Sequence, residues 1–123
     1  MIGYVTLGTN DQARAVTFYD ALLALLDARS MSPNDRITLW RTKGGAAMLG
    51  VAEPHDGAAA SVGNGTMVAI SAPDTATVDA MHAKALELGG SDEGAPGKRG
   101  DNFYGGYFRD LDGNKLVAFC IVQ

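Results

Sequence analysis

The sequence has one cysteine, Cys120, which rules out an internal disulfide and any CxxC pair for zinc or redox work. Its neighbours Ala118, Phe119, Ile121 and Val122 are apolar, so the expected thiol is buried and inert. There is no block of lysine or arginine, and ten basic residues against fourteen acidic ones give a net charge of -4. A surface that follows a phosphate backbone is thereby excluded, and no nucleic-acid partner is expected. No apolar run approaches the ~18 to 20 residues of a membrane span, and no basic leader precedes an apolar stretch in MIGYVTLGTND. The expectation is a soluble, cytoplasmic chain with no membrane partner. Only four prolines accompany sixteen glycines, a composition suited to short strands and turns rather than to disorder or a collagen-like repeat.

What is present fits one domain. A chain of 123 residues, 46% of them hydrophobic, can bury roughly two-thirds of its unfolded surface. Residues 3–9 read as a strand, followed by Asn10 or Asp11 as a helix N-cap. Ala15, Phe18, Leu22, Leu25 and Leu26 then recur at helical spacing. A short strand over Ala28 to Met31, a turn at Pro33 to Asp35, the alternating RITLWR and the strand AAMLGV complete this half. Residues 66–72 begin the order again, with Pro73-Asp74 opening a second helix and Gly89-Gly90 closing it. Val78, Met81, Ala85 and Leu88 supply its stripe, and SDEGAPGKRGDN reads as a loop with at most a short strand.

The two halves match by subtraction. Tyr4 and Met67, Leu7 and Ile70, Asp11 and Asp74, Leu23 and Leu86, and Leu25 and Leu88 are each 63 apart, which points to a repeat. The predicted modules span about 1–55 and 65–123, joined by EPHDGAAASVGNG as a surface connection. Each half is too small to bury its sheet alone, so the two are expected to share a core or a cleft. In the final stretch, YGGYFRDLDGNKLVAFCIV, two apolar strands are joined by a predicted tight Asp112-Gly113 turn.

With two strand-helix-strand-strand-strand units in place, the chain resembles the glyoxalase, bleomycin-resistance and extradiol-dioxygenase superfamily, the vicinal oxygen chelate proteins. The local pieces that carry the resemblance are YVTLGTND followed by AVTFYDALL, and YFRDLDGNKL, where Leu111 stands in place of a frequent proline. The resemblance implies an α+β fold of paired βαβββ modules whose sheets curl around a central cleft, with helices outside. It also implies a homodimer as the expected assembly. Enzymatic members hold a divalent ion with His, Glu or Gln from the first and last strands of each module. Carried onto this chain, those positions fall on Tyr4, Met67, Val117 and near Leu49, where thioether, phenol and aliphatic groups replace imidazole and carboxylate. No metal and no other cofactor is therefore expected.

Strand alternation supplies the expected cleft lining. With Val5 and Leu7 toward the first helix, Tyr4 and Thr6 face inward; with Val68 and Ile70 toward the second, Met67, Ala69 and Ser71 do the same. Thr38 and Trp40 join them if Ile37 and Leu39 pack outward, Val117 and Phe119 complete the wall, and Tyr104 stands at its edge. The ligand-binding residues expected are thus Tyr4, Thr6, Trp40, Met67, Ser71, Tyr104, Val117 and Phe119, lining a site for a small apolar or aromatic molecule. No catalytic residue is assigned.

Other motifs are read as structure. Asp110, Asp112 and Asn114 match the start of a calcium loop, but Lys115 and Ile121 replace its glycine and glutamate, which excludes calcium. His82 reads as a packed or hydrogen-bonded residue, His55 with Glu53 and Asp56 as solvated loop polarity, and Lys98-Arg99 as a charged loop. Gly63-Asn64-Gly65 is a turn and not a dinucleotide fingerprint. The alternative to binding alone is a lactoylglutathione-lyase-like or dioxygenase-like enzyme using non-standard residues, among them His55, Glu53, His82 or Tyr4.

Overall fold

Asp11 and Asp74 each start a helix in the same way. The carboxylate of Asp11 accepts from the Arg14 backbone N–H at 3.1 Å, and that of Asp74 from Thr77 N–H at 2.8 Å, satisfying one orphan donor in each first turn. In the computed structural model, which describes residues 1–123, these helices belong to two units, Met1–Val62 and Gly63–Gln123. The first unit runs β1 (Tyr4–Gly8), α1 (Gln12–Leu23), a 3-10 turn (Ala24–Leu26), β2 (Arg29–Asn34), β3 (Ile37–Arg41) and β4 (Met48–Ala52). The second runs β5 (Val68–Ser71), α2 (Thr75–Glu87), β6 (Ser91–Arg99), β7 (Phe103–Arg109) and β8 (Lys115–Ile121).

Each unit is an α+β module with one mixed four-stranded sheet. The orders are β1-β4-β3-β2 and β5-β8-β7-β6, in which the first strand pairs in parallel with the last and the others pair antiparallel. The parallel pair needs a long connection, which the helix begins and the middle strands complete. Apolar stripes hold each helix on its sheet. Ala15, Phe18, Tyr19, Leu22 and Leu23 are buried on α1, and Val78, Met81, His82 and Ala85 on α2. The sequence expected Leu25 and Leu26 in the first stripe. Instead α1 stops at Leu23, the tighter turn changes the period, and Leu25 is 40% exposed.

Two further expectations are corrected. Residues 91–99 form a nine-residue strand, not a loop. Gly94, Pro96 and Gly97 obscure it in the sequence, and the structure places them on an edge strand whose register shifts between Asp92 and Gly94 and again before Gly97. The closing hairpin is not a two-residue turn at Asp112-Gly113. Asp110 N–H donates to Asn114 C=O at 2.9 Å and Gly113 N–H to Asp110 C=O at 3.1 Å, leaving residues 111–113 as a three-residue loop. Gly113 has φ 88°, the left-handed residue such a loop requires, and no neighbour in the loop has positive φ.

Candidate functional site

Which side chains reach a possible ligand depends on the face that each helix leaves uncovered. In the first unit the β3 residues decide the matter. Thr38 Oγ1 accepts from Gln12 Nε2 at 3.2 Å, and Trp40 Nε1 donates to Asp20 Oδ1 at 2.8 Å while its ring meets Tyr19 at 5.6 Å. Gln12, Tyr19 and Asp20 all belong to α1, so Thr38 and Trp40 face the helix. The sequence assignment of β3 is thereby reversed: its alternation was read correctly, but its phase was inverted. Leu39 instead shares the opposite face with Thr6, since both side chains crowd the position a Cβ would take at Gly50. Tyr4 and Thr6 lie on this uncovered face, and both are exposed.

In the second unit β8 presents Val117 and Phe119 on the uncovered face and Leu116, Ala118 and Cys120 toward the helix. Phe103 lies flat against Phe119, with ring centroids 5.2 Å apart and planes 6° from parallel. Gly105 makes this possible: a Cβ there would stand 2.7 Å from the Phe103 ring and 3.1 Å from a Val117 methyl. Val117 is fully buried and, like the Phe103 ring, borders Gly105. On the same face, the Tyr107 ring centroid is 5.5 Å from the Arg99 guanidinium and 5.7 Å from the Lys115 ammonium. Met67, just before β5, is 43% exposed, and Ser71 is exposed at the end of that strand. Phe103 and Tyr107 were not among the expected site residues, because a turn centred on Asp112-Gly113 pairs Val117 with Phe108 instead of Tyr107 and so puts Tyr104 rather than Phe103 on this face.

Tyr104 points the other way. Its hydroxyl donates to Asp79 Oδ1 on α2 at 2.6 Å, so it is on the helix side and not at the edge of the uncovered face. This bond holds its phenol above the ordinary value of 10.0, with burial and the Asp79 charge adding to the effect. Because the folded value is the higher one, the protonated phenol's contribution to stability is complete below pH 10.0 and lost as pH rises through the folded value. In Asp79→Asn the Tyr104 phenol is expected to titrate at lower pH, as followed by its ring NMR signals. An unchanged titration would remove Asp79 as the cause.

The histidines are placed differently from each other. His82 is buried, and its Nε2 lies 3.0 Å from Asp92 Oδ1 and 3.1 Å from the Tyr107 carbonyl. Both neighbours are acceptors, so Nε2 carries the proton and donates. Asp92 is held below the ordinary carboxylate value, first by the Gly94 N–H and then by His82. This geometry joins α2 to β6. His55 is exposed in a turn, where Asp56 accepts from Ala58 N–H at 2.9 Å. Arg99 belongs to β6 and donates to the Ala95 carbonyl at 2.7 Å, so it is not part of a charged loop.

The register also fixes the fourth position at which the resemblance places a metal ligand. Ala69 pairs with Val117, and Thr6, its counterpart 63 residues earlier, pairs with Gly50. The first-unit equivalent of Val117 is therefore Gly50, and Leu49 lies on the Trp40 side of the sheet. Tyr4, Gly50, Met67 and Val117 do not fit a divalent cation's preference for imidazole or carboxylate. No group of three or more His, Cys, Asp or Glu side chains comes together in a way that could hold a metal ion.

No helix is long and apolar enough to cross a membrane. No protein of curated function matches the chain. A solved glyoxalase/bleomycin resistance protein from Albidiferax ferrireducens is 35% identical, with 98% of each chain covered and a TM-score of 0.89. A glyoxalase/bleomycin resistance protein/dioxygenase family enzyme from Burkholderia phytofirmans shares the fold at 14% identity, again over 98% of each chain, with a TM-score of 0.78. A glyoxalase-related enzyme from Fulvimarina pelagi does so at 16% identity and a TM-score of 0.77, over 98% of this chain and 87% of its own. The model of the glyoxalase/bleomycin resistance protein/dioxygenase superfamily matches residues 1–118, and the chain belongs to that superfamily.

Proposed function

We propose that the chain binds a small apolar or aromatic molecule without a metal, in the manner of the bleomycin-resistance members that it resembles. The observation that carries this reading is the uncovered face of β7 and β8. There the stacked Phe103 and Phe119 rings share a face with Val117, which occupies a position the resemblance assigns to a metal ligand. A planar ligand can extend the stack at little entropic cost, because the two rings are already parallel. Met67 and Ser71 of the same unit are exposed and are proposed to contribute to this site; Tyr4 and Thr6 are exposed on the uncovered face of the first unit, whereas Trp40 and Tyr104 belong to the helix sides of their own sheets. The net acidity of the sequence favours cationic ligands, but Arg99 and Lys115 make the Tyr107 neighbourhood locally positive. A neutral or acidic aromatic compound suits this face better than a cationic one. A homodimer in the cytoplasm is the setting proposed for this activity.

The test is a panel of neutral, acidic and basic aromatic compounds, followed by aromatic and methyl NMR of protein purified without chelator or affinity tag. Saturable shifts at Phe103, Val117 and Phe119 are expected, and Phe119→Ala is expected to weaken binding by about tenfold, the scale of one lost aromatic contact. Stoichiometric metal lost together with turnover of a hemithioacetal or catechol substrate on chelation would overturn the proposal.

A further inference from the structure

A cavity of about 330 Å³ opens at one end of the β2–β3 hairpin, lined by Arg29, Arg41 and Lys43 with Ser30, Thr42 and Asp27, and with Met31 as its apolar edge. Arg29 and Arg41 are direct register partners across the two strands. Side chains so placed are near neighbours on one face, and like charges there repel. All three cations are exposed, and none has a carboxylate partner within ion-pair distance. Asp27, the one acid in the lining, leaves the cavity with an excess of positive charge in a chain whose net charge is -4.

Protection of an exposed sheet edge accounts for Arg29, because β2 is the edge strand. It does not account for Arg41, because β3 lies between β2 and β4 and needs no such protection. Two arginines on paired strand positions offer forked donors that match the oxygens of a phosphate or carboxylate, with Lys43 adding a third charge and the two hydroxyls adding neutral donors. A bound anion would also remove the repulsion that the bare pair carries. The volume is at the small end of ligand sites and suits a compact oxyanion rather than an extended polymer. We infer that the Arg29, Arg41 and Lys43 cavity is a binding site for an oxyanion group, phosphate or carboxylate, carried by a small molecule. This does not rest on the reading of the Phe103 and Phe119 face.

The test is backbone amide NMR of the whole chain titrated with inorganic phosphate, phenyl phosphate or benzoate, each against sodium chloride at matched ionic strength. Saturable shifts are expected at Arg29, Arg41, Thr42 and Lys43, with affinity on the order of millimolar because the site is exposed and screened. A preference for phenyl phosphate over benzoate would identify the phosphate source of the shared chemistry, and the reverse would identify the carboxylate. The double variant Arg29→Gln, Arg41→Gln is expected to weaken binding at least about tenfold, since both forks are lost. It is also expected to melt no lower than the parent in phosphate-free buffer, since a like-charge contact disappears. Shifts of the same size with chloride, shifts centred on Lys98 and Arg99, or unchanged binding by the double variant would each overturn the inference.

Discussion

Trp40→Ala is expected to lower stability by about 4 kcal/mol, within the range for emptying a buried aromatic site. The indole is 2% exposed, packs on Tyr19 and donates to Asp20, so its loss leaves a void between β3 and α1. Trp40→Phe keeps most of the volume and removes the hydrogen bond with a small part of the packing. It is expected to cost about 1 kcal/mol, because the Asp20 carboxylate is exposed and water can replace the lost donor. Urea unfolding of the three proteins measures both effects, read as midpoint shifts at constant slope. The phenylalanine variant is also expected to bind an aromatic ligand within about twofold of the parent, since the indole is committed to the helix side of its sheet. A large loss of affinity with no loss of stability would place the indole against the ligand instead.

Trp40 also shows where legibility in the sequence ends. The order of elements other than β6, the two N-caps and the 63-residue repeat were readable because they depend on local chemistry: Asp11 and Asp74 satisfy their own first turns, and apolar residues recur at helical spacing. The β1 face was readable too, because Leu7 has no polar alternative to burial while Thr6 does. On RITLWR, period two allows two phases of comparable hydrophobicity. The structure chooses the one that brings Trp40 to Asp20 and Thr38 to Gln12, partners 20 and 26 residues away. Nothing within the strand encodes that choice. Strand β6 was hidden for a related reason. Its glycines and proline lower strand propensity, and the pairing with β7 that overrides them is set by tertiary contact. The Phe103–Phe119 stack needed both the β7–β8 register and the close approach of the Phe103 ring to Gly105, neither of which is a property of one segment.

Asp110→Ala is expected to cost about 3 kcal/mol, because the carboxylate holds the closing loop through bonds of the charge-assisted kind. Asp110 Oδ1 accepts from Asp112 N–H and Asn114 N–H, each at 2.9 Å, and Oδ2 accepts from the Asn114 side-chain amide at 2.9 Å. Asp110 and Asn114 are both buried at 6% exposure, so water cannot readily replace what alanine removes. Asp110→Asn keeps the acceptor at Oδ1 but turns a second donor toward the Asn114 amide. It is expected to lie between the parent and the alanine variant, at about half the cost. The consequence extends beyond the loop, because this hairpin sets the pairing of Tyr107 with Val117 and of Gly105 with Phe119. A strand that slipped by one residue would present Leu116 and Ala118 where Val117 and Phe119 now stand, and would separate the stacked rings. The alanine variant is therefore expected to lose ligand affinity as well as stability, whereas Trp40→Phe loses a little of the second and none of the first. Denaturation curves and ligand titrations on the same preparations distinguish the two patterns. An alanine variant that keeps full stability would show that Gly113 and the backbone bonds alone hold the register.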